Sequence, residues 1–349
     1  MAERVATRLG ASAAQYVDVE RTATTPERFL QAVTEHTPFA WAPEGAASSP
    51  RASFDALLTF LNVARAPGGA PATFVLDEVL ELRTFESFPG LRHVMREFLA
   101  AIAASPNRFV LTSRYQARTL RLLKEAGPRF EVVTTAPLTA GDVTDALAPV
   151  FDHYEQMATE DRDTLGRTVQ ALADGRIGYV TRMGEAMSDT RGGRTADPVL
   201  ALTSLLMSGA SLERQCRFSY ELRLHRARGY GALKAILDIL AEDEGLTLTE
   251  ISLRLRRTPG STKDYLSWLE DVDLVTSKQK RYSFADPLLR AWVRIHCRAV
   301  RPTTDDVMRE VQRYARLRTP AAEPAQALAY AGANADADDR KSWGIIEID

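Results

Sequence analysis

Two carboxylates stand side by side at the end of an apolar run, Ala72-Thr73-Phe74-Val75-Leu76-Asp77-Glu78. Adjacent acids at a strand tip offer one group to a metal ion and the other to a water molecule, which is what metal-assisted hydrolysis requires. A second run, residues 108 to 113 (Arg-Phe-Val-Leu-Thr-Ser), ends in the hydroxyls of Thr112 and Ser113. On a neighbouring strand such a hydroxyl can read a phosphate oxygen. Each residue type also has a plainer reading. Acids are favourable at a helix N-terminus, and Thr112 or Ser113 can cap a helix that begins at Arg114.

These tips need strands behind them and helices between them. Residues 2 to 9 carry Val5 and Leu9 on one helical stripe, and Gln15 to Val19 reads as a buried strand. Thr24-Thr25-Pro26-Glu27 opens a helix with Phe29, Leu30 and Val33 on its apolar face, Pro26 suiting a first helical position. A Pro-, Ala- and Ser-rich loop covers residues 37 to 52, and Ser53 is expected to cap the helix carrying Phe54, Leu57, Leu58 and Leu61. A long amphipathic helix through Leu91, Val94, Met95, Phe98 and Ile102 follows the acidic tip. Another runs through Leu120 and Leu123 after the hydroxyl tip, and Phe130 to Thr134 reads as a further strand. Apolar strands alternating with helices predict an α/β fold whose mostly parallel sheet carries its functional groups at the strands' carboxyl ends.

Beyond Pro137 the pattern becomes helical: residues 142 to 154, 160 to 173, 179 to 187 and 198 to 207. Residues 230 to 300 change character again. Three helices are expected, the last opened by Thr258-Pro259-Gly260-Ser261, followed by two short strands around the basic turn Lys278-Gln279-Lys280-Arg281. Three helices and a two-stranded wing predict a winged helix-turn-helix. The expected domains are thus 1–136, the α/β domain; 137–229, a helical domain; 230–300, the winged helix; and 301–349, a charged helical segment with a mobile tail. Trp268 and Trp292 read as core, whereas Tyr314 and Trp343 read as anchors for a partner.

Composition narrows the classes. Forty-five per cent of the 349 residues are hydrophobic and 26% charged, which excludes disordered, collagenous and disulfide-scaffold chains. A formal net charge of -2 supplies no global field toward nucleic acid or anionic membrane, so such contacts must be local. Cys216, Cys297 and the five histidines lack metal-ligand spacing, so no structural metal is expected. No apolar run approaches the roughly 20 residues of a membrane span, and the first residues lack a signal-peptide core. A cytoplasmic protein is the expectation.

In sequence order, three segments resemble the P-loop ATPases of the AAA+ and STAND group, in particular the archaeal-type ATPase branch that ends in a winged helix. Ala72 to Glu78 looks like the Walker B strand and Thr112-Ser113-Arg114 like the end of the sensor 1 strand. Tyr282 to Trp292 (Tyr-Ser-Phe-Ala-Asp-Pro-Leu-Leu-Arg-Ala-Trp) looks like the exit from the wing. The resemblance spans roughly residues 1 to 300. It implies that Asp77 holds Mg²⁺ on the phosphates of ATP, that Glu78 orients or deprotonates the attacking water, and that Thr112 or Ser113 senses the γ-phosphate. It further implies a helical lid over 137–229, in which Arg176 of Gly175-Arg176-Ile177-Gly178-Tyr179 approaches the nucleotide. Arg114 or Arg118 would serve as an arginine finger, possible in a homo-oligomer. The implied output is a molecular switch whose winged helix passes nucleotide state to a protein partner. Duplex DNA is the other candidate partner, through Arg254, Arg256, Arg257, Lys263, Lys278, Lys280 and Arg281. Against it, residues 230 to 300 hold eleven basic and ten acidic residues, and Asp264, Glu270, Asp271 and Asp273 lie on or beside the third helix.

The resemblance departs from the family at one motif. The 349 residues contain no G-x-x-x-x-G-K-[ST], the loop whose backbone N–H groups and lysine hold the phosphates. Gly229-Tyr230-Gly231-Ala232-Leu233-Lys234 has the wrong spacing and reads as a helix start. In family topology the strand leading into that loop lies between 108–112 and 130–134, so the parallel sheet is incomplete at its N-terminus. Two expectations follow: a start codon about 30 to 50 residues upstream, or a degenerate ATPase-like protein. ATP hydrolysis is expected only where the loop is supplied. The alternative of another class is a non-enzymatic winged-helix DNA-binding regulator, or a protein adaptor, on an ATPase-like scaffold.

Overall fold

The computed structural model describes residues 2–41, 49–126, 130–151, 159–188, 197–225 and 229–319. It resolves into two compact units, residues 1–136 with 216–294 and residues 137–215 with 295–349.

The first unit is built on a parallel sheet of order β1-β2-β3: β1 (Ala14–Asp18), β2 (Thr73–Asp77) and β3 (Arg108–Leu111). The central strand is the most apolar one, and Phe74, Val75 and Leu76 are fully buried. Because side chains alternate along a strand, Phe74 and Leu76 face one side of the sheet and Val75 and Asp77 the other. The helices here are, in chain order, α1 (Ala2–Leu9), α2 (Val19–Thr22), α3 (Pro26–Glu35), α4 (Pro50–Val63), α5 (Val94–Ala104) and α6 (Gln116–Ala126); the main core lies on the first side with α2 to α6, and α1 lies on the other face, with Ala2 and Ala6 beside Val75. Phe74 sits at the centre of an aromatic cluster, edge-on to Phe39 and Phe60 and stacked on Phe109 at 5.5 Å. Asn107, buried just before β3, ties the end of α4 to the start of β2. Its amide donates to the carbonyls of Leu61 and Ala64, and its oxygen accepts from the Ala72 N–H.

Local chemistry explains the helix boundaries. Thr25 accepts from the Arg28 N–H with Pro26 in the first helical position, as expected for α3. For α4 the cap is Ser49, followed by Pro50, rather than Ser53, which is buried within the helix. The predicted helix after Glu78 begins with a 3₁₀ segment, Val79–Ser87, and becomes α-helical only past Pro89-Gly90, at Val94. A larger correction concerns Phe130 to Thr134. This run forms no strand, and Val133 is 83% exposed. A β-run needs a ladder partner, and among the described residues β3 pairs only with β2. Its outer edge and the run beyond it are left unpaired.

The second unit contains α7 (Ala140–Ala146), α8 (Ala148–Phe151), α9 (Thr159–Ala173), α10 (Ile177–Ser188) and α11 (Pro198–Leu206), with α12 (Ser211–His225) leading back to the first unit. The single helix expected over 142–154 is broken at Leu147, and residues 152–154 lie outside the described range.

Within the first unit, residues 230–294 supply α13 (Tyr230–Glu242), α14 (Leu248–Leu255), α15 (Pro259–Asp271) and most of α16 (Pro287–His296). They also form an antiparallel sheet of order β4-β6-β5: β4 (Leu246–Thr247), β5 (Val275–Lys278) and β6 (Arg281–Phe284). Gln279 and Lys280, both at positive φ, make the two-residue hairpin turn, which matches the twist of the flanking strands. Thr247 and Glu250 form a capping box at the start of α14. Trp292 is buried beside Tyr220, while Trp268 is partly exposed.

The last helix, α17 (Thr304–Arg318), belongs to the second unit. Tyr314, read from sequence as a partner anchor, is buried there and donates to the Leu172 carbonyl at 2.8 Å. An apolar position on a stripe with Val307 and Val311 makes it core. Trp343 and the tail lie outside the described residues.

Candidate functional site

The carboxyl ends of the three parallel strands bring Tyr16, Asp77, Glu78, Thr112 and Arg114 together. Asp77 closes the central strand in register with Asp18 of β1. Its Oδ2 accepts from the Tyr16 hydroxyl at 2.9 Å and its Oδ1 accepts from the Thr112 hydroxyl. Burial and the Asp77 carboxylate push the Tyr16 phenol up to about 12, so it stays a donor throughout the physiological range. Each carboxylate oxygen retains a second lone pair for a metal ion or phosphate-bound water.

Glu78 is held differently. Its backbone lies in the left-handed region (φ 58°, ψ 48°), which favours glycine and strains a larger residue by about 1–3 kcal/mol. Thr112 compensates on both sides: its hydroxyl accepts from the Glu78 N–H at 3.2 Å and its carbonyl from the Val79 N–H at 3.0 Å. The sharp turn aims the Glu78 carboxylate at Arg114, whose backbone N–H donates to Oε2 (3.2 Å) and whose Nε lies 3.0 Å from Oε1. Arg114 also pairs with Glu20 at 2.8 Å. Burial raises the Glu78 carboxyl above the usual carboxylate range, a shift that Arg114 opposes without cancelling. Burial would lower Arg114, but Glu20 and Glu78 together hold it above its ordinary value.

The raised Glu78 has a consequence for stability. A carboxyl raised in the folded state stabilises the fold below its unfolded pKa, and that contribution is lost as pH rises through the folded value. Glu78→Gln removes this loss. The stability of Glu78→Gln relative to wild type should therefore increase from pH 4 to pH 7, read from urea midpoints at the two pH values.

Of the residues singled out in the sequence, Asp77, Glu78, Thr112 and Arg114 meet at one place. Ser113 turns its hydroxyl to the Tyr115 N–H at 3.1 Å, a local turn contact. Arg118 stacks over Tyr115. Arg176 lies in the second unit, 3.8 Å from Asp174. Arg256, Arg257, Lys263, Lys278, Lys280 and Arg281 are all exposed. Arg281 donates to the Gly245 carbonyl, Arg257 stacks over Tyr265, and Arg256 ends α14 in the left-handed region. Tyr16 and Glu20 were missed. A tyrosine within an apolar strand is a signal that could have found the first, and nothing in the sequence singles out the second.

Among the described residues no group of three or more His, Cys, Asp or Glu could hold a metal ion by itself, and no helix is long and apolar enough to cross a membrane. Asp77 with Thr112 fits the acidic half of a Mg²⁺–nucleotide site, where phosphate oxygens complete the metal's shell. The amide-and-lysine half has no matching loop in these 349 residues.

No protein-family model matches the chain, and no curated protein matches it. Among solved structures it is similar to the Walker-type ATPase PABY2304 of Pyrococcus abyssi, with 16% identity and a TM-score of 0.55 over 81% of this chain and 84% of that one. The likeness extends over most of both chains, so this chain shares the fold of that protein.

Proposed function

We propose that the protein is an ATPase-like molecular switch of the AAA+/STAND type, in which Mg²⁺–ATP is sensed at the carboxyl edge of the β1-β2-β3 sheet. The observation that carries this reading is the Asp77 carboxylate at the tip of the central parallel strand, hydrogen-bonded to the Thr112 hydroxyl of the adjacent strand, on a scaffold similar to that of a Walker-type ATPase. In this reading Asp77 takes the metal side of the phosphates as a Walker B carboxylate, Tyr16 and Thr112 fix its orientation, and Glu78 faces the water side. Arg114 holds Glu78 away from other partners until a phosphate competes for the guanidinium. The 230–300 segment is the winged helix that carries the state to a protein partner, and the helices from 137 to 229 are the lid domain, which carries Arg176. Hydrolysis requires the phosphate loop on a strand paired with the open edge of β3, where a parallel ladder can continue.

The test is binding of Mg²⁺–ATP to the protein isolated from its source, with its intact mass and N-terminal peptide determined on the same sample. Saturable binding that requires Mg²⁺ and falls at least tenfold in Asp77→Asn supports the assignment. Binding that ignores the substitution removes Asp77 from the site.

A second reading is favoured by the exposed basic turn of Lys278, Lys280 and Arg281 and the exposed Arg256 and Arg257. It is a DNA-binding regulator that keeps the scaffold without the chemistry. Affinity for duplex DNA that falls steeply with salt, needs no nucleotide and weakens in Lys278→Ala/Lys280→Ala would favour it.

A further inference from the structure

We infer that Asp273 is a positioning residue for Glu78, acting through the N-terminus of α6. The inference rests on the reading of Glu78 as the working carboxylate of the site.

Asp273 terminates α15 and carries the chain into β5. It follows the helix in the left-handed region (φ 51°), its N–H donating to the Glu270 carbonyl and the next N–H, of Leu274, to the Leu269 carbonyl. Glycine is the residue this position favours. The aspartate side chain has a different task, on an element 157 residues away in sequence. Its Oδ2 accepts from the Gln116 N–H at 2.6 Å and its Oδ1 from the Ala117 N–H at 3.2 Å. Those are the first two amides of α6, donors with no partner inside the helix. The nearby Ser113 hydroxyl accepts from the Tyr115 N–H instead. Arg223 donates to the Asp273 carbonyl at 2.9 Å, and Arg121 pairs with Asp271 at 2.6 Å, so the end of α15 is fixed to α6 at several points.

The loop leading into α6 is Thr112 to Tyr115, the segment that supplies Thr112 to Asp77 and Arg114 to Glu78. Only Tyr115 separates Arg114 from the amide that Asp273 holds. A shift of the 230–294 segment against α6 therefore displaces Arg114 from Glu78, and by linkage a change at Glu78 alters the hold on Asp273. This gives the C-terminal segment a hydrogen-bonded route to the carboxylate.

The test is amide hydrogen exchange, resolved to single residues, on the full chain. Asp273→Gly keeps the left-handed turn and removes only the carboxylate. The amides of Gln116 and Ala117 should exchange about tenfold faster, and so should the Arg114 amide that donates to Glu78. The amides of Thr73 to Leu76 should keep their rates. Asp273→Asn, with one carbonyl oxygen left to accept, should restore part of the protection at Arg114. An unchanged Arg114 amide beside faster Gln116 and Ala117 would reduce Asp273 to a helix cap and overturn the inference. Equal acceleration throughout the unit in both variants would overturn it too, as a general loss of stability. No nucleotide is needed, so failure of the ATPase reading shows separately, as absent Mg²⁺–ATP binding with the exchange coupling intact.

Discussion

Asn107→Leu is expected to destabilise the first unit by about 2–4 kcal/mol, from the desolvation cost of the buried groups it leaves without a good partner. Leucine matches asparagine in size but has no polar atoms. The substitution strands the N–H of Ala72, which Asn107 satisfies at 2.9 Å, and takes from the Leu61 carbonyl its 2.8 Å donor, leaving it the Ser105 hydroxyl at 3.4 Å, whereas the Ala64 carbonyl loses one of two donors and keeps Arg65. None of them gains water, because the residue is buried against the end of α4. Arg65 also loses a contact, to Oδ1 at 3.3 Å, although it keeps the Asn62 and Ala64 carbonyls. The loss is read as a lowered urea midpoint with an unchanged slope. Since Asn107 sets where β3 begins beside β2, the same variant should also blur the site, with slower recovery of the Thr112–Asp77 contact on refolding.

Phe74→Ala is expected to cost a similar amount, about 3–5 kcal/mol, as the sum of lost transfer energy and the cavity left behind. Phe74 is fully buried, with Phe39, Phe60 and Phe109 around it at 5.2 to 5.6 Å. Three rings from three different segments cannot all close on an alanine, so the cavity stays largely open. Phe74→Leu, which keeps most of the volume, should lose clearly less, and the difference between the two variants measures the cavity. Both substitutions fall on the sheet face opposite Asp77. At temperatures where the variants remain folded, the Tyr16–Asp77–Thr112 arrangement should persist, visible as an unaltered Tyr16 titration.

The two tips of the site were legible because they mark a break in chemistry: apolar runs that end abruptly in Asp77-Glu78 and in Thr112-Ser113. Arg114 was legible as a candidate but not in its role. That it clamps Glu78 depends on the left-handed turn at Glu78, which a sequence of ordinary residues does not announce. Glu20 and Asp273 reach their partners only through the register of separate elements, so no local pattern reveals them. Phe130 to Thr134 shows the reverse failure. Its Val132-Val133 pair has the composition of a strand, but composition specifies only a willingness to pair, and the described residues offer it no ladder. At Ser49 and Ser53 two candidate caps compete, and Pro50, which fits a first helical turn, decides for Ser49. Tyr314 was misplaced because a polar-tipped ring in a charged helix looks exposed until the Leu172 carbonyl that receives its hydroxyl is known.

Whether Asp77 faces the metal-bound phosphates of a nucleotide is decided by equilibrium binding of Mg²⁺–ATP to the protein isolated from its source. The expected result is saturable binding that disappears on chelation of Mg²⁺, weakens at least tenfold in Asp77→Asn and survives Lys278→Ala/Lys280→Ala. Absence of binding at millimolar Mg²⁺–ATP, or binding indifferent to both Mg²⁺ and Asp77, would contradict it.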